Sequence, residues 1–157
     1  MADQKAEKLI DTISRQILNY KKNNGYDSNL KNVLKATIKN FKHVTSEGPV
    51  KLKEDCYVSI DKHGLIIFHL AKDPKKGIGD VSIINKAHID RVKIGHLLGP
   101  SLIVFLKDQV LNPFNKKLRF KINSTHDKKS FLSQNAKHLS QILDSEKYIY
   151  ERHPVKR

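Results

Sequence analysis

"SEGPVKLKEDCYVSIDKHGLIIFHL", residues Ser46 to Leu70, is where the chain changes character. Tyr57, Val58 and Ile60 precede the polar tetrad Asp61-Lys62-His63-Gly64, and an apolar run from Leu65 to Leu70 follows it. Two strand-like runs around a short polar turn with a glycine predict a β-hairpin, with Gly64 near the position that needs positive φ. Ser46-Glu47-Gly48-Pro49 is a run of breakers, and it reads as a boundary between unlike segments.

Downstream, the pattern stays strand-like. Asp73 to Gly79 reads as a loop, and Val81 to Ile84 begins another strand. Ile89 to Ile94 continues it or forms a neighbour, with Val92 and Ile94 on one side and Arg91 and Lys93 on the other. Gly95 to Pro100 turns the chain and carries Leu97 and Leu98, which either tuck under a neighbouring element or contact a partner. Ser101 to Leu106 is apolar, as expected of a strand buried on both faces. Residues 107–117, with Asn112-Pro113, read as an irregular loop. Lys116 to Ile122 alternates: Leu118, Phe120 and Ile122 inward, Lys117, Arg119 and Lys121 outward. Ser124, Thr125 or Asp127 is positioned to cap a last helix. Its apolar face is Phe131, Leu132, Ala136, Leu139, Ile142 and Leu143.

Upstream, residues 2–22 predict an amphipathic helix, with Leu9, Ile10, Ile13, Ile17 and Tyr20 on one face. Asn23-Asn24-Gly25 stops it. A second helix is expected over about 28–43, with Leu30, Val33, Leu34, Ile38 and Phe41 on its apolar face. On that helix Lys31, Lys35, Lys39 and Lys42 would form one narrow cationic row. Two helices around a glycine-containing turn would loosely resemble a helix-turn-helix, although Asn32 and Asn40 are the second helix's only good base readers.

This order predicts an α+β protein: a helical segment over 1–45, a β domain over 50–145 closed by a helix, and a basic tail over 146–157. The run "VSIINKAHIDRVKIG", then "SLIVFLKD", "KLRFKI" and "HDKKSFLSQNAKHLSQIL" resembles the bacterial pleckstrin-homology-like domains. That resemblance implies an antiparallel barrel or sandwich capped by the C-terminal helix, with the N-terminal helical hairpin as an addition. It also implies a non-catalytic binding role. The phosphoinositide-binding members carry a basic cluster on the first hairpin. The matching residues here, Lys51, Lys53, Lys62 and His63, lack its paired Lys and Arg spacing.

Charge narrows the partners. Thirty Lys+Arg against sixteen Asp+Glu give a formal +14, a field that attracts nucleic acid, anionic membrane or acidic protein. Only five of the thirty are arginines, which suits diffuse attraction better than base reading. The candidate anion-facing residues are Lys31, Lys35, Lys39, Lys42, Arg91, Lys93, Lys117, Arg119 and Lys121; an ordinary solvated strand or helix face has the same pattern. No aromatic platform of the kind single strands need is expected from the sequence.

Catalytic and metal motifs are missing. The eight histidines are scattered, without HExxH spacing, and His88-x-Asp90 is a lone pair of metal-type ligands. There is no G-x-S-x-G, Walker loop or dinucleotide turn. The single cysteine, Cys56, allows no internal disulfide and is expected to be a small buried hydrophobe. The longest apolar run is too short to cross a bilayer, and MADQKAEKLID lacks the layout of a secretory signal. The expectation is a cytoplasmic, non-enzymatic module without cofactor or metal, contacting a protein or a second copy of itself, with nucleic acid and anionic membrane as alternatives.

Overall fold

The alternation around Asp61 forms the hairpin. In the computed structural model, which describes residues 2–45, 48–96, 99–107, 117–123 and 130–152, strand β2 (Gly48–Asp61) pairs antiparallel with β3 (Gly64–Leu70). Asp61 lies opposite Gly64. Gly64 has φ +154°, and a Cβ there would run into the carbonyl oxygen of Ile84 on the next strand. The glycine is therefore required both by its backbone and by the close approach of β4 (Ile78–Asn85).

The segment expected to be the second helix is a strand, β1 (Val33–Thr45). It pairs with β2 from Val33↔Ser59 to Thr45↔Gly48, with a bulge between Ile38 and Phe41. The helical hairpin and the helix-turn-helix reading fall with it. The reason lies in burial on two sides. Leu34, Ala36 and Ile38 point into the main core at the period of a pleat, while Val33 is buried on the opposite face. Apolar neighbours on both faces produce i, i+1 and i+4 spacings that imitate a helix. Gly48 and Pro49, expected at a boundary, are instead the first residues of β2, opposite Thr45 and Val44; Ser46 and Glu47 lie outside the described residues.

The other strands are β5 (Ile89–Gly95), β6 (Ser101–Leu106), β7 (Lys117–Ile122) and β8 (Tyr150–Arg152). The hydrogen-bonded order is β4-β3-β2-β1-β7-β6-β5-β8. The first seven strands join antiparallel, and β8 lies parallel to β5. This is an α+β fold. The expected barrel is not closed: among the described residues no ladder joins β4 to β5, because the free edge of β5 is taken by β8.

One face of β1 to β7 shares a single apolar cluster, from Leu34 and Ile60 through Leu65 and Ile84 to Val92, Val104 and Phe120. A flat sheet could not bring all seven strands to one core, so the sheet coils around it. Cys56 is buried within that cluster. On the other face of β1 to β3, α1 (Ala2–Asn23) lays Ile13 and Ile17 against Val33, Tyr57, Ile66 and Phe68. Tyr20 meets Phe68 edge to face, with ring centroids 5.5 Å apart. Burying two isoleucines there contributes roughly 3–6 kcal/mol gross. Gln16 extends the contact to the β3–β4 loop: its Nε2 donates to Lys76 O at 2.9 Å, and its Oε1 accepts from the Ile78 N–H at 2.9 Å.

The C-terminal helix is two pieces, α2 (Phe131–Lys137) and α3 (Leu139–Ser145). Ser130 caps the first, accepting from the Ser133 N–H at 3.2 Å; the caps expected at Ser124, Thr125 or Asp127 lie outside the described residues. Leu139, Ile142 and Leu143 of α3 enter the main core, whereas Leu132 of α2 joins the α1 layer. The break at His138 lets one apolar face serve two layers. Asn135 fixes α2 by donating to Leu30 O and Val33 O, both at 2.8 Å. Residues 146–152, expected in the basic tail, dock instead. Tyr148 is buried and donates to Asp61 O at 2.7 Å, and β8 follows.

Candidate functional site

The pleat and the registers of β5, β6 and β7 build a cationic grid. Arg91 lies opposite Phe105, and Phe105 opposite Lys117. Lys93 lies opposite Ile103, and Ile103 opposite Arg119. Gly95 lies opposite Ser101, and Ser101 opposite Lys121. Directly opposed residues share a face, so all five predicted cations of these strands stand together on the outer face. The inner face of the same strands carries Val92, Ile94, Leu102, Val104, Leu118, Phe120 and Ile122 in the core.

Spacing sets how far the cations reinforce one another. Neighbouring strands are about 4.8 Å apart, so the Lys93 and Arg119 backbones stand about 10 Å apart across Ile103. That slightly exceeds the Debye length of about 8 Å at physiological salt, so the cations act as separate neighbouring sites there and reinforce one another as the salt is lowered. Two contacts of Arg91 are defined. Its guanidinium carbon sits 4.1 Å from the Phe105 ring centroid, and its Nη1 donates to Asp90 Oδ2 at 2.8 Å.

Acidic groups mark the margins. Asp90 holds Arg91, so His88-x-Asp90 has its carboxylate engaged by a cation. On the β1 side, Lys121 opposes Thr37, whose Oγ1 donates to Asp55 Oδ1 at 2.7 Å and accepts from Asn123 Nδ2 at 2.9 Å.

The expected lysine row does not assemble. Lys31 is exposed in the turn before β1, and Lys35 is half-buried on the outer face beside Tyr57. The side chains of Lys39 and Lys42 lie outside the described residues, as do Leu97 and Leu98. A helical row spread along a strand and a turn loses its common face.

Phe105 is the residue that sequence reasoning missed. Ser101 to Leu106 was expected to be buried on both faces, yet Phe105 and Leu106 are only half-buried. The overlooked signal was Arg91: a residue opposite a cation stands on the cations' face, where Phe105 is half-buried although Ile103 beside it is buried.

Two other places carry polar chemistry. Glu54, His69 and Ser82 bridge β2, β3 and β4, with His69 Nδ1 at 2.8 Å from Glu54 Oε1 and Nε2 at 2.8 Å from Ser82 Oγ. The carboxylate–imidazole–hydroxyl order is that of a catalytic triad. Here the members project from three neighbouring strands, His69 at the register shift between Phe68 and Leu70, and the bonds tie those strands together. A cleft of about 250 Å³ lies between the ends of β5 and β6 and the C-terminal helices, lined by Ile94, His96, Pro100, Lys137 and Ser140 among others. No group of three or more His, Cys, Asp or Glu among the described residues is placed to hold a metal. No helix among them is long and apolar enough to cross a membrane.

No protein-family model, curated protein or solved structure matches the chain.

Proposed function

We propose that the chain is a non-catalytic binding module of pleckstrin-homology-like architecture, and that it engages an anionic partner through the outer face of β5–β7. The architectural part is supported by the division into a β1–β4 half and a β5–β7 half, joined by β1 and β7, with a helix after β7 packed into the core. The binding part is carried by one observation: the registers that bring Arg91, Lys93, Lys117, Arg119 and Lys121 onto one face. A formal +14 raises the encounter rate with any polyanion, and the grid is the proposed docking point.

The test is retention on heparin. Replacing Lys117, Arg119 and Lys121 with Gln should shift elution to clearly lower salt. The same number of replacements at Lys72, Lys75 and Lys76, exposed at the far end of the sheet, should shift it much less. Equal shifts would mean that net charge alone is acting, and the reading would be abandoned.

A second reading is self-association, favoured by β4. Among the described residues this edge strand has β3 as its one neighbour in the sheet, and it exposes Ile83 at 44%. Exposed apolar edges invite pairing with another chain. A dimer by light scattering that Ile83→Lys dissociates would support it; a monomer at high concentration would dismiss it.

A further inference from the structure

We infer that the partner of the basic face is single-stranded nucleic acid, with phosphates on the cations of β7 and a base stacked at Arg91 and Phe105. This rests on the proposed anion-binding role of that face and names its partner.

Three features select this partner from other polyanions. The first is the Arg91–Phe105 stack. Arg91 retains 39% exposure while its guanidinium lies over the ring at 4.1 Å. A planar cation on an aromatic platform is a surface on which an unpaired base stacks; both guanidinium planes and aromatic rings serve this purpose. An acidic peptide would use the charge but not the plane. The second feature is shape. The sheet coils around its core, so its outer face is convex. A rigid duplex would touch a convex face along little more than a line, and its bases are already stacked inside it. A flexible strand follows the curve. The third is the line of Lys117, Arg119 and Lys121, alternate residues about 6.7 Å apart along β7. It runs beside the stack, since Lys117 is directly opposite Phe105. One strand can lie along β7 and turn a base onto Arg91.

Binding is measured by fluorescence anisotropy on the full chain, with a labelled single-stranded RNA of about ten nucleotides, within the span one small domain covers. A duplex of the same sequence, heparin, polyglutamate and phosphatidylserine-containing vesicles compete against it. The single strand should be the tightest ligand. Arg91→Lys keeps the charge and removes the plane; it should weaken single-strand binding by roughly tenfold and leave the salt dependence unchanged. Phe105→Leu keeps an apolar side chain at that site and should act in the same direction. Lys117→Gln should instead reduce the slope of log affinity against log salt by about 0.7. Duplex, heparin, polyglutamate or vesicles binding as tightly as the single strand would overturn the inference and leave the anion-binding face standing. So would Arg91→Lys binding like the parent. No binding to any of these polyanions would remove both.

Discussion

Lys21 and Asp61 meet in the interior, with Lys21 Nζ 3.8 Å from Asp61 Oδ1 and the lysine at 0% exposure. The lysine stands near the end of α1, and the aspartate opens the β2–β3 turn. Between them Asn32, just before β1, accepts from Lys21 Nζ at 2.9 Å and donates to Asp61 Oδ1 at 3.2 Å. Lys21 also donates to Asn29 O at 2.9 Å, and Ser59 Oγ donates to Asp61 Oδ2 at 2.5 Å. With Tyr148 donating to Asp61 O, this network joins the end of α1, the turn before β1, the end of β2 and the C-terminal segment.

A buried ion that loses its partner is left uncompensated. Lys21→Met should therefore destabilise the protein by about 3 kcal/mol in urea unfolding, although methionine fills much the same space. The double variant Lys21→Met with Asp61→Asn should recover part of that loss. If the two losses simply add, the pair is not energetically coupled.

The pH dependence has two opposing parts. Burial lowers the Lys21 pKa from its ordinary 10.5, against the pull of Asp61. Its desolvation cost is present below the lowered native value and fades as pH rises toward 10.5. Burial raises the Cys56 thiol above its ordinary 9.0, and raises the Tyr57 and Tyr148 phenols above 10.0. Their stabilising contribution is complete below those ordinary values and is lost as pH climbs through the raised native ones. Urea midpoints should hold or rise slightly up to about pH 9 and fall beyond about pH 10, where these acids, with Tyr26 also raised, outweigh one lysine. A midpoint still rising at about pH 11 would contradict this balance.

Gly64→Ala combines a φ that L residues avoid with a collision against the Ile84 carbonyl. The cost should be about 2–3 kcal/mol, and greater than that of Gly25→Ala, where φ is +78° but nothing lies within 4 Å. Comparable losses at the two sites would show that β4 yields easily.

The Glu54–His69–Ser82 bridge is expected to clamp strands rather than to perform chemistry. Ser82 should resist a fluorophosphonate probe, and Ser82→Ala should cost about 1 kcal/mol in stability. Stoichiometric labelling that His69→Ala abolishes would identify a working nucleophile and end the non-catalytic reading.

Sequence by itself determined the elements that have one buried face. Leu118, Phe120 and Ile122 alternate with cations because β7 is wet on one side, and Ile13 and Ile17 recur at helical spacing because α1 lies on a sheet. Such periods are local, and each is set by the pleat or the helical turn. Only the tertiary structure decided β1, whose Val33 and Leu34 are buried in two different layers, so its period belongs to neither. It alone decided that Lys93 and Arg119, 26 positions apart in the chain, stand on one face about 10 Å apart, and that Phe105 lies between Arg91 and Lys117. Those relations depend on which strands pair and in which register. Pairing is a contest among long-range contacts and leaves no periodic trace in any single segment.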